Sequence, residues 1–278
     1  MRARRILVAL DGSPESRAAL AAAARFGIST GAGLAGIFVE DVELLRLAGL
    51  PFAREAGLSS GVFRRLDRSG IELRFRVAAE RAREALREIA ERSGLDSSFR
   101  VARGRVVPEL LAAAPEADIV AAGKRSGHAA GGGRLGGTLR GLIAQLPVPV
   151  LVGGARRLVP GPAVIVSATA AVPEEALRFV ALLARAFGAP EIVVIAGEGG
   201  AVPVHGEPPL FPVRRRGFAA LSVSRVRSLP EVAGASAVVI VRPKGNAGMD
   251  DLLLSLAEAL VCPVFIIGPR GLAELLSA

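Results

Sequence analysis

Residues 6–14 read ILVALDGSP, an aliphatic run that turns abruptly polar. An unbroken aliphatic and β-branched run is typical of a strand buried on both faces of a parallel sheet, so Ile6–Leu10 is predicted to be a central strand. Ser13 then offers an N-cap and Pro14 suits a first helical turn, ahead of the alanine-rich residues 18–26. The segment therefore predicts a strand, a turn and a helix.

The rest of the first half continues this alternation, apart from residues 41–69, which show no regular pattern. The further strands are predicted at residues 33–39, 72–76, 118–122 and 147–152, and the further helices at residues 78–93 and 108–113. Because strands that alternate with helices form a parallel sheet covered by helices, the sequence predicts an α/β fold.

The second half repeats this plan. The repeated segments are residues 163–167, 173–187, 191–196, 237–241 and 262–267. Between the halves lies Gly153–Pro162, whose Gly and Pro content is typical of a linker. We therefore predict two domains, residues 1–153 and residues 161–278.

The composition limits the classes of partner. The formal charge is +9, and only Lys124 and Lys244 among the 35 basic residues are lysines. The arginines are spread along the chain, with one real cluster at residues 214–216, and the absence of Trp and Tyr leaves little for bases to stack on. These features argue against a nucleic-acid partner.

No membrane segment or disulfide framework is expected. The apolar residues come in runs shorter than the roughly 18–20 residues of a membrane span. Asp11 interrupts the first apolar run too early for a secretory signal, and the single Cys262 lies in an apolar run that suits a packed thiol. We predict a cytoplasmic protein.

Residues at three predicted strand ends suggest an anion site. Asp11, Val39 and Gly123 each follow a strand, and ligands of open parallel sheets bind at that edge. From Gly123 the chain reads GKRSG, then runs on to Gly137 and Thr138 at the start of a helix. Glycines let backbone amides approach phosphate oxygens, and a helix N-terminus carries partial positive charge. The pattern indicates a phosphate site.

These motifs resemble the universal stress protein family, whose pattern is Gly, two residues, Gly, nine residues and Gly-Ser/Thr, followed by a Pro-Val-Pro-Val strand. The sequence carries VALDGSP at residues 8–14, the glycine element from Gly123 to Thr138, and PVPV at residues 147–150. Three residues, rather than the family's two, separate Gly123 from Gly127. The resemblance covers essentially the whole first half.

The resemblance implies two Rossmann-like domains of the adenine nucleotide alpha hydrolase type, each with a five-stranded parallel sheet flanked by helices. It also implies ATP as ligand, with or without Mg²⁺. The residues implied to hold the adenosine are Leu10, Asp11 and Val39, and those implied to surround the phosphates are Gly123, Gly127, Gly137 and Thr138. No catalytic residue is implied.

Several of these residues also have simpler interpretations than ligand binding. Asp11 could cap the following helix, and Lys124 and Arg125 are either solvated loop charges or phosphate ligands. Residues 131–136 match GxGxxG but follow a loop rather than a strand, so we do not interpret them as a dinucleotide motif. The two histidines lie in different halves without further ligands nearby, so no metal site is predicted.

The second half is predicted to lack a nucleotide site. Residues 168–170 supply no carboxylate opposite Asp11, and the long glycine loop is replaced by the short segment 242–249. Asp250 and Asp251 then stand where a helix should begin and would repel phosphate. The second domain is therefore expected to be structural.

The two terminal strands, residues 147–152 and 262–267, are expected to pair antiparallel, as the last strands of two copies do in family dimers. The chain would then be an intramolecular pseudo-dimer, because two unpaired apolar edges invite aggregation. The sequence does not decide whether the chain forms further homo-oligomers or which protein partner it binds.

By resemblance, the function is that of an ATP-binding stress-response regulator or binding module. Two alternatives remain: a slow ATPase, and a scaffold that binds no nucleotide. No carboxylate lies between Gly123 and Thr138, which argues against efficient hydrolysis. The retained Gly137-Thr138 pair argues against the scaffold.

Overall fold

A computed structural model describes residues 5–56, 63–124, 136–146, 148–154, 160–167, 172–197, 211–218, 222–242 and 254–268. The strands are β1 (Arg5–Ala9), β2 (Gly33–Asp41), β3 (Arg54–Ala56), β4 (Phe63–Arg65), β5 (Ser97–Gly104), β6 (Ile119–Ala122), β7 (Val150–Val152), β8 (Ala163–Ser167), β9 (Ile192–Gly197), β10 (Val213–Phe218), β11 (Ala237–Val241) and β12 (Val264–Ile267). The helices are α1 (Pro14–Thr30), α2 (Val42–Ala48), α3 (Arg68–Ser93), α4 (Val106–Ala113), α5 (Gly137–Gln145), α6 (Glu174–Phe187), α7 (Val223–Ser228), α8 (Pro230–Ala233) and α9 (254–259), with a 3₁₀ turn at Ala114–Glu116.

One ten-stranded sheet runs through both halves of the chain, in the order β10-β9-β8-β11-β12-β7-β6-β1-β2-β5. Within each half the five strands pair in parallel. The halves meet where β12 pairs antiparallel with β7, with Leu151 opposite Phe265. The predicted α/β fold, its two five-stranded halves and the antiparallel contact are confirmed.

The two halves also contact each other outside the sheet, through helices and buried side chains. On one face, α1 of the first half packs against α6 of the second half. The Phe26 ring lies 5.6 Å from the rings of both Phe179 and Phe265, and all three residues have no exposed surface. Because these aromatic residues belong to one apolar cluster that spans both halves, separation of the halves would expose a large apolar area to water.

The prediction of a strand at residues 72–76 is wrong, because these residues belong to α3. Asp67 caps this helix by accepting a hydrogen bond from the Gly70 amide at 3.1 Å. Leu73 and Phe75 alternate with charged residues as the residues of a strand face would, but Phe75 is buried whereas Leu73 is 57% exposed. The buried residues of α3 instead recur every three or four positions, which is the period of a helix.

Each half contributes a third strand, in chain order, to the large sheet: β5 in the first half and β10 in the second. Neither strand was predicted. Each lies at an outer edge of the large sheet, and each is largely exposed. Arginines occupy both strands, so neither shows the aliphatic run that marks a central strand. In β10 the cluster at residues 214–216 forms ion pairs from Arg214 to Glu191 and from Arg216 to Glu231.

The segment predicted to be irregular, residues 41–69, contains α2 and the hairpin of β3 and β4. The hairpin is closed by a hydrogen bond from the Leu66 amide to the Ala53 carbonyl at 2.9 Å. Leu45, Ala53 and Leu66 are buried, so this excursion adds to the core of the first half.

Candidate functional site

A pocket of ≈ 280 Å³ opens at the carboxyl ends of β1, β2 and β6. Its wall is formed by Ala9, Leu10, Asp11, Ser16, Ile37, Phe38, Val39, Asp41, Glu43, Leu44, Leu47, Phe75, Val106, Leu110, Ala122, Gly123, Lys124, Gly136, Thr138 and Leu139. From β1 the chain crosses to β2 on one side, whereas β6 connects to β7 on the other side. Ligands of open α/β sheets bind at such a reversal of strand order.

The turn after β1 supplies the first polar group of the pocket. The Leu10 amide continues the sheet by donating to the Ile37 carbonyl at 2.9 Å. Asp11 accepts a hydrogen bond from the Ser13 amide at 2.9 Å, and Gly12 takes the left-handed conformation, with φ of 78°. Ser13, rather than Asp11, caps α1 by accepting from the Ser16 amide. Asp11 therefore shapes the turn that presents it to the pocket.

Two further carboxylates lie where β2 passes into α2. Asp41 is the N-cap of α2 and accepts a hydrogen bond from the Glu43 amide at 2.9 Å. The hydrogen bond from Arg105 to Glu43, at 2.9 Å, keeps the pKa of Glu43 below its ordinary value. Glu43 also pairs with Arg46 at 3.0 Å, so its carboxylate already has two arginine partners in the same half.

Helices supply an apolar wall to the pocket. Leu44 and Leu47 project from α2, Phe75 from α3 and Leu110 from α4. Phe75 stacks edge-on against Phe38, with 6.2 Å between the ring centroids. This wall suits a flat, weakly polar group such as a nucleobase.

The far end of the pocket is formed by β6 and α5. The Gly136 amide donates to the Lys124 carbonyl at 3.0 Å, which brings the start of α5 next to the end of β6. Among the described residues, no side chain caps the first turn of α5, whose N-cap is Gly136, and Thr138 lies in that turn. A side chain at Gly123 would collide with the backbone of Glu15 and Ser16, so glycine is required there. This end can bind an anion through backbone amides.

The structure brings together most of the residues predicted for the site. Leu10, Asp11, Val39, Gly123 and Thr138 all contribute to the pocket wall. Gly137 lies between two wall residues and is itself exposed, whereas Gly127 and Arg125 fall outside the described residues. The prediction missed Asp41, Glu43 and the apolar wall. The acids at the end of β2 could have been found from their place after a strand, but the helical residues had no such signal.

The predicted loss of a site in the second half concerns residues 168–170 and 242–251, and of these all but Arg242 lie outside the described part of the chain. The described residues contain no group of three or more His, Cys, Asp or Glu side chains arranged to hold a metal ion. None of the described helices is both long enough and apolar enough to span a membrane.

The fold and the pocket define an α/β protein with a candidate ligand pocket at the strand-order reversal of its first half. Residues 2–153 match the sequence profile of the universal stress protein family. This match spans more than half of the chain, and the protein belongs to the universal stress protein family. No curated protein matches the sequence at a significant level.

Solved structures agree with this fold over the full chain. A universal stress protein from Archaeoglobus fulgidus DSM 4304 covers 95% of this chain and 96% of its own at 13% identity, with a TM-score of 0.64. A second, from Pseudomonas aeruginosa UCBPP-PA14, covers 98% of this chain and 96% of its own at 14% identity, with a TM-score of 0.58. At these identities the similarity establishes the fold alone.

A universal stress protein solved in complex with cAMP is similar to only part of this chain. It covers 55% of this chain and 97% of its own at 20% identity, with a TM-score of 0.37. That similarity assigns no ligand to the pocket described here.

Proposed function

We propose that this protein binds one ATP in the pocket of its first half and acts as a nucleotide-dependent regulator or binding module of the stress response. The observation that carries the proposal is the polarity of the pocket. The pocket combines an apolar wall, the Asp11 carboxylate after β1 and, after the adjacent strand β6, the N-terminus of α5, whose N-cap Gly136 has no side chain. ATP carries the matching groups: a flat base, a ribose and the phosphates.

In this proposal the base packs against the apolar helical wall, and the backbone at Leu10 and Val39 borders it. Asp11 accepts a hydrogen bond from a ribose hydroxyl. The volume of ≈ 280 Å³ is near the lower limit of about 300–1,000 Å³ for small-molecule pockets, which suits the nucleoside part of ATP.

The phosphates are assigned to the end formed by Gly123, Gly137 and Thr138, and Gly127 is assigned to the same group by the family pattern. Backbone amides, the Thr138 hydroxyl and the helix dipole would all favour a negative charge there. A bound Mg²⁺ would be held mainly by the phosphates, because the described residues offer no metal-binding cluster of their own.

Binding is proposed rather than rapid hydrolysis. Asp41 caps α2 and Glu43 pairs with Arg105, so both carboxylates already have structural partners. A general base for hydrolysis would have to reach a water next to the terminal phosphate, at the other end of the pocket. The second half is proposed to have no nucleotide site of its own.

Substitution of Asp11 tests the assignment of the ribose end. Asp11→Asn keeps an oxygen that can accept from the Ser13 amide but removes the charge, so it should weaken ATP binding by about 1 kcal/mol, or roughly fivefold. Asp11→Ala also removes the turn contact and should weaken binding by roughly 30-fold, about 2 kcal/mol. Isothermal titration calorimetry measures both affinities. Equal affinities in the parent and both variants would contradict the assignment.

A further inference from the structure

Lys124 belongs to the pocket and also contacts the second half of the chain. It follows β6 by two residues and is part of the wall at the phosphate end. Its ammonium group donates a hydrogen bond to the carbonyl of Leu260. Leu260 is buried and lies directly after α9, the helix that precedes β12 in the second half. One side chain therefore joins the candidate site to the other half.

A similar contact runs in the opposite direction, from the second half to the first. Arg242 donates a hydrogen bond to the Ile143 carbonyl in α5, at 2.5 Å. Lys124 and Arg242 occupy equivalent places in the two halves. Each lies six residues after the amide whose hydrogen bond precedes a strand pairing, that of β6 with β1 in the first half and that of β11 with β8 in the second. These amides are Asp118, which donates to Arg5, and Ser236, which donates to Pro162, each at 3.0 Å. A cation near the last turn of a helix is favoured by the helix dipole.

The backbone around this contact is closely packed. A side chain at Gly154 would come within 2.4 Å of the Cys262 backbone, so the chain leaving β7 lies directly on the segment between α9 and β12. Burial raises the pKa of the Cys262 thiol to about 11, and the nearby positive charge of Lys124 acts in the opposite direction. The junction of the halves therefore lies beside the phosphate end of the pocket.

The geometry points to a role for the second half in ligand binding: the carbonyl end of α9 positions Lys124 at the phosphate end, so that ATP binding in the first half tightens the junction between the halves. This inference rests on the proposed ATP site. An ammonium group has three donor hydrogens, so a hydrogen bond to Leu260 is compatible with donation to a phosphate oxygen. A lysine that is already held in place loses less side-chain entropy when it binds.

Coupling between the two contacts must be reciprocal. If the second half raises the affinity for ATP through Lys124, then bound ATP must strengthen the contact of Lys124 with the second half by the same factor. A ligand without phosphates gains nothing from Lys124 and should not tighten the junction. The second half is then a positioning element of the site, in addition to its structural role.

Cys262 gives a direct readout, because it is the only cysteine of the chain and lies at the junction. The rate of its alkylation by N-ethylmaleimide is measured by mass spectrometry on the full-length protein, alone, with saturating ATP and with saturating adenosine. We expect ATP to slow alkylation at least threefold and adenosine to change it by less than 1.5-fold. In Lys124→Met, ATP should bind roughly tenfold more weakly, and at saturation it should no longer slow alkylation.

Arg242→Met is the matched control, because it removes the equivalent contact between the halves without removing a group from the pocket. This variant should retain the slowing by ATP. If calorimetry shows ATP binding but the alkylation rate of the parent is unchanged or increased, the inference is wrong and the ATP site stands. If Lys124→Met keeps the full ATP effect, Lys124 is not the link. If no ATP binds to the parent, the proposed function fails and the inference fails with it.

Discussion

Val150→Lys is expected to lower the free energy of unfolding by about 3–5 kcal/mol, the range for a buried charge without a partner. Val150 is only 2% exposed and lies in β7, between Val120 of β6 and Ile266 of β12. A lysine there must either bury its ammonium group among aliphatic side chains or separate the strands that join the halves. The second route would let the halves unfold in two steps, which chemical denaturation followed by circular dichroism would resolve.

Val101→Lys provides the control for this substitution. Val101 is also a strand valine, but it lies in the edge strand β5 and is 43% exposed, so a lysine there can reach water. Its effect on stability should stay within about 0.5 kcal/mol. If Val150→Lys cost as little as Val101→Lys and unfolded in one step, β7 and β12 would not hold the halves together.

Gly137→Asp is expected to weaken ATP binding at least 100-fold without unfolding the protein. A side chain at Gly137 would meet no atom of the described residues within 4 Å, so that part of the structure has room for it. A negative charge in the first turn of α5 interacts favourably with the helix dipole. The thermal stability of the variant should therefore be unchanged or slightly higher. The same negative charge would repel phosphates from the amides that are proposed to bind them.

Gly137→Asn separates charge from bulk, because asparagine has nearly the same size as aspartate and no charge. It should weaken ATP binding clearly less than Gly137→Asp does. Affinities from calorimetry, with circular dichroism to verify the fold, measure both effects. Parent-like ATP binding by Gly137→Asp would show that the start of α5 is not the phosphate site.

The central strands could be predicted from sequence because they are buried on both faces. Segments such as Ile6–Leu10 and residues 237–241 are continuous aliphatic runs that only a sheet covered by helices can bury. The edge strands β5 and β10 had no such run, since their exposed positions accept arginine. In α3, a stretch of only five residues suggested strand alternation, whereas the helical period becomes clear over the full length of 26 residues.

The residues of the candidate site likewise fall into those that could be predicted from sequence and those that could not. Asp11, Val39 and Gly123 could be predicted because parallel strands bring their carboxyl ends to one edge of the sheet. Phe75 and Leu110 could not, because their approach to the pocket depends on how α3 and α4 pack on the sheet. The contact from Lys124 to Leu260 joins residues far apart in sequence, and no local pattern in the chain indicates it.

The stoichiometry of ATP binding tests the central claim most directly. The full-length protein, first freed of any bound small molecule that mass spectrometry detects, is titrated with ATP in an isothermal calorimeter. A single nucleotide site, formed by Asp11 and the start of α5 in the first half, predicts saturable binding of one ATP per chain. Two ATP per chain, or no saturable binding at all, would contradict it.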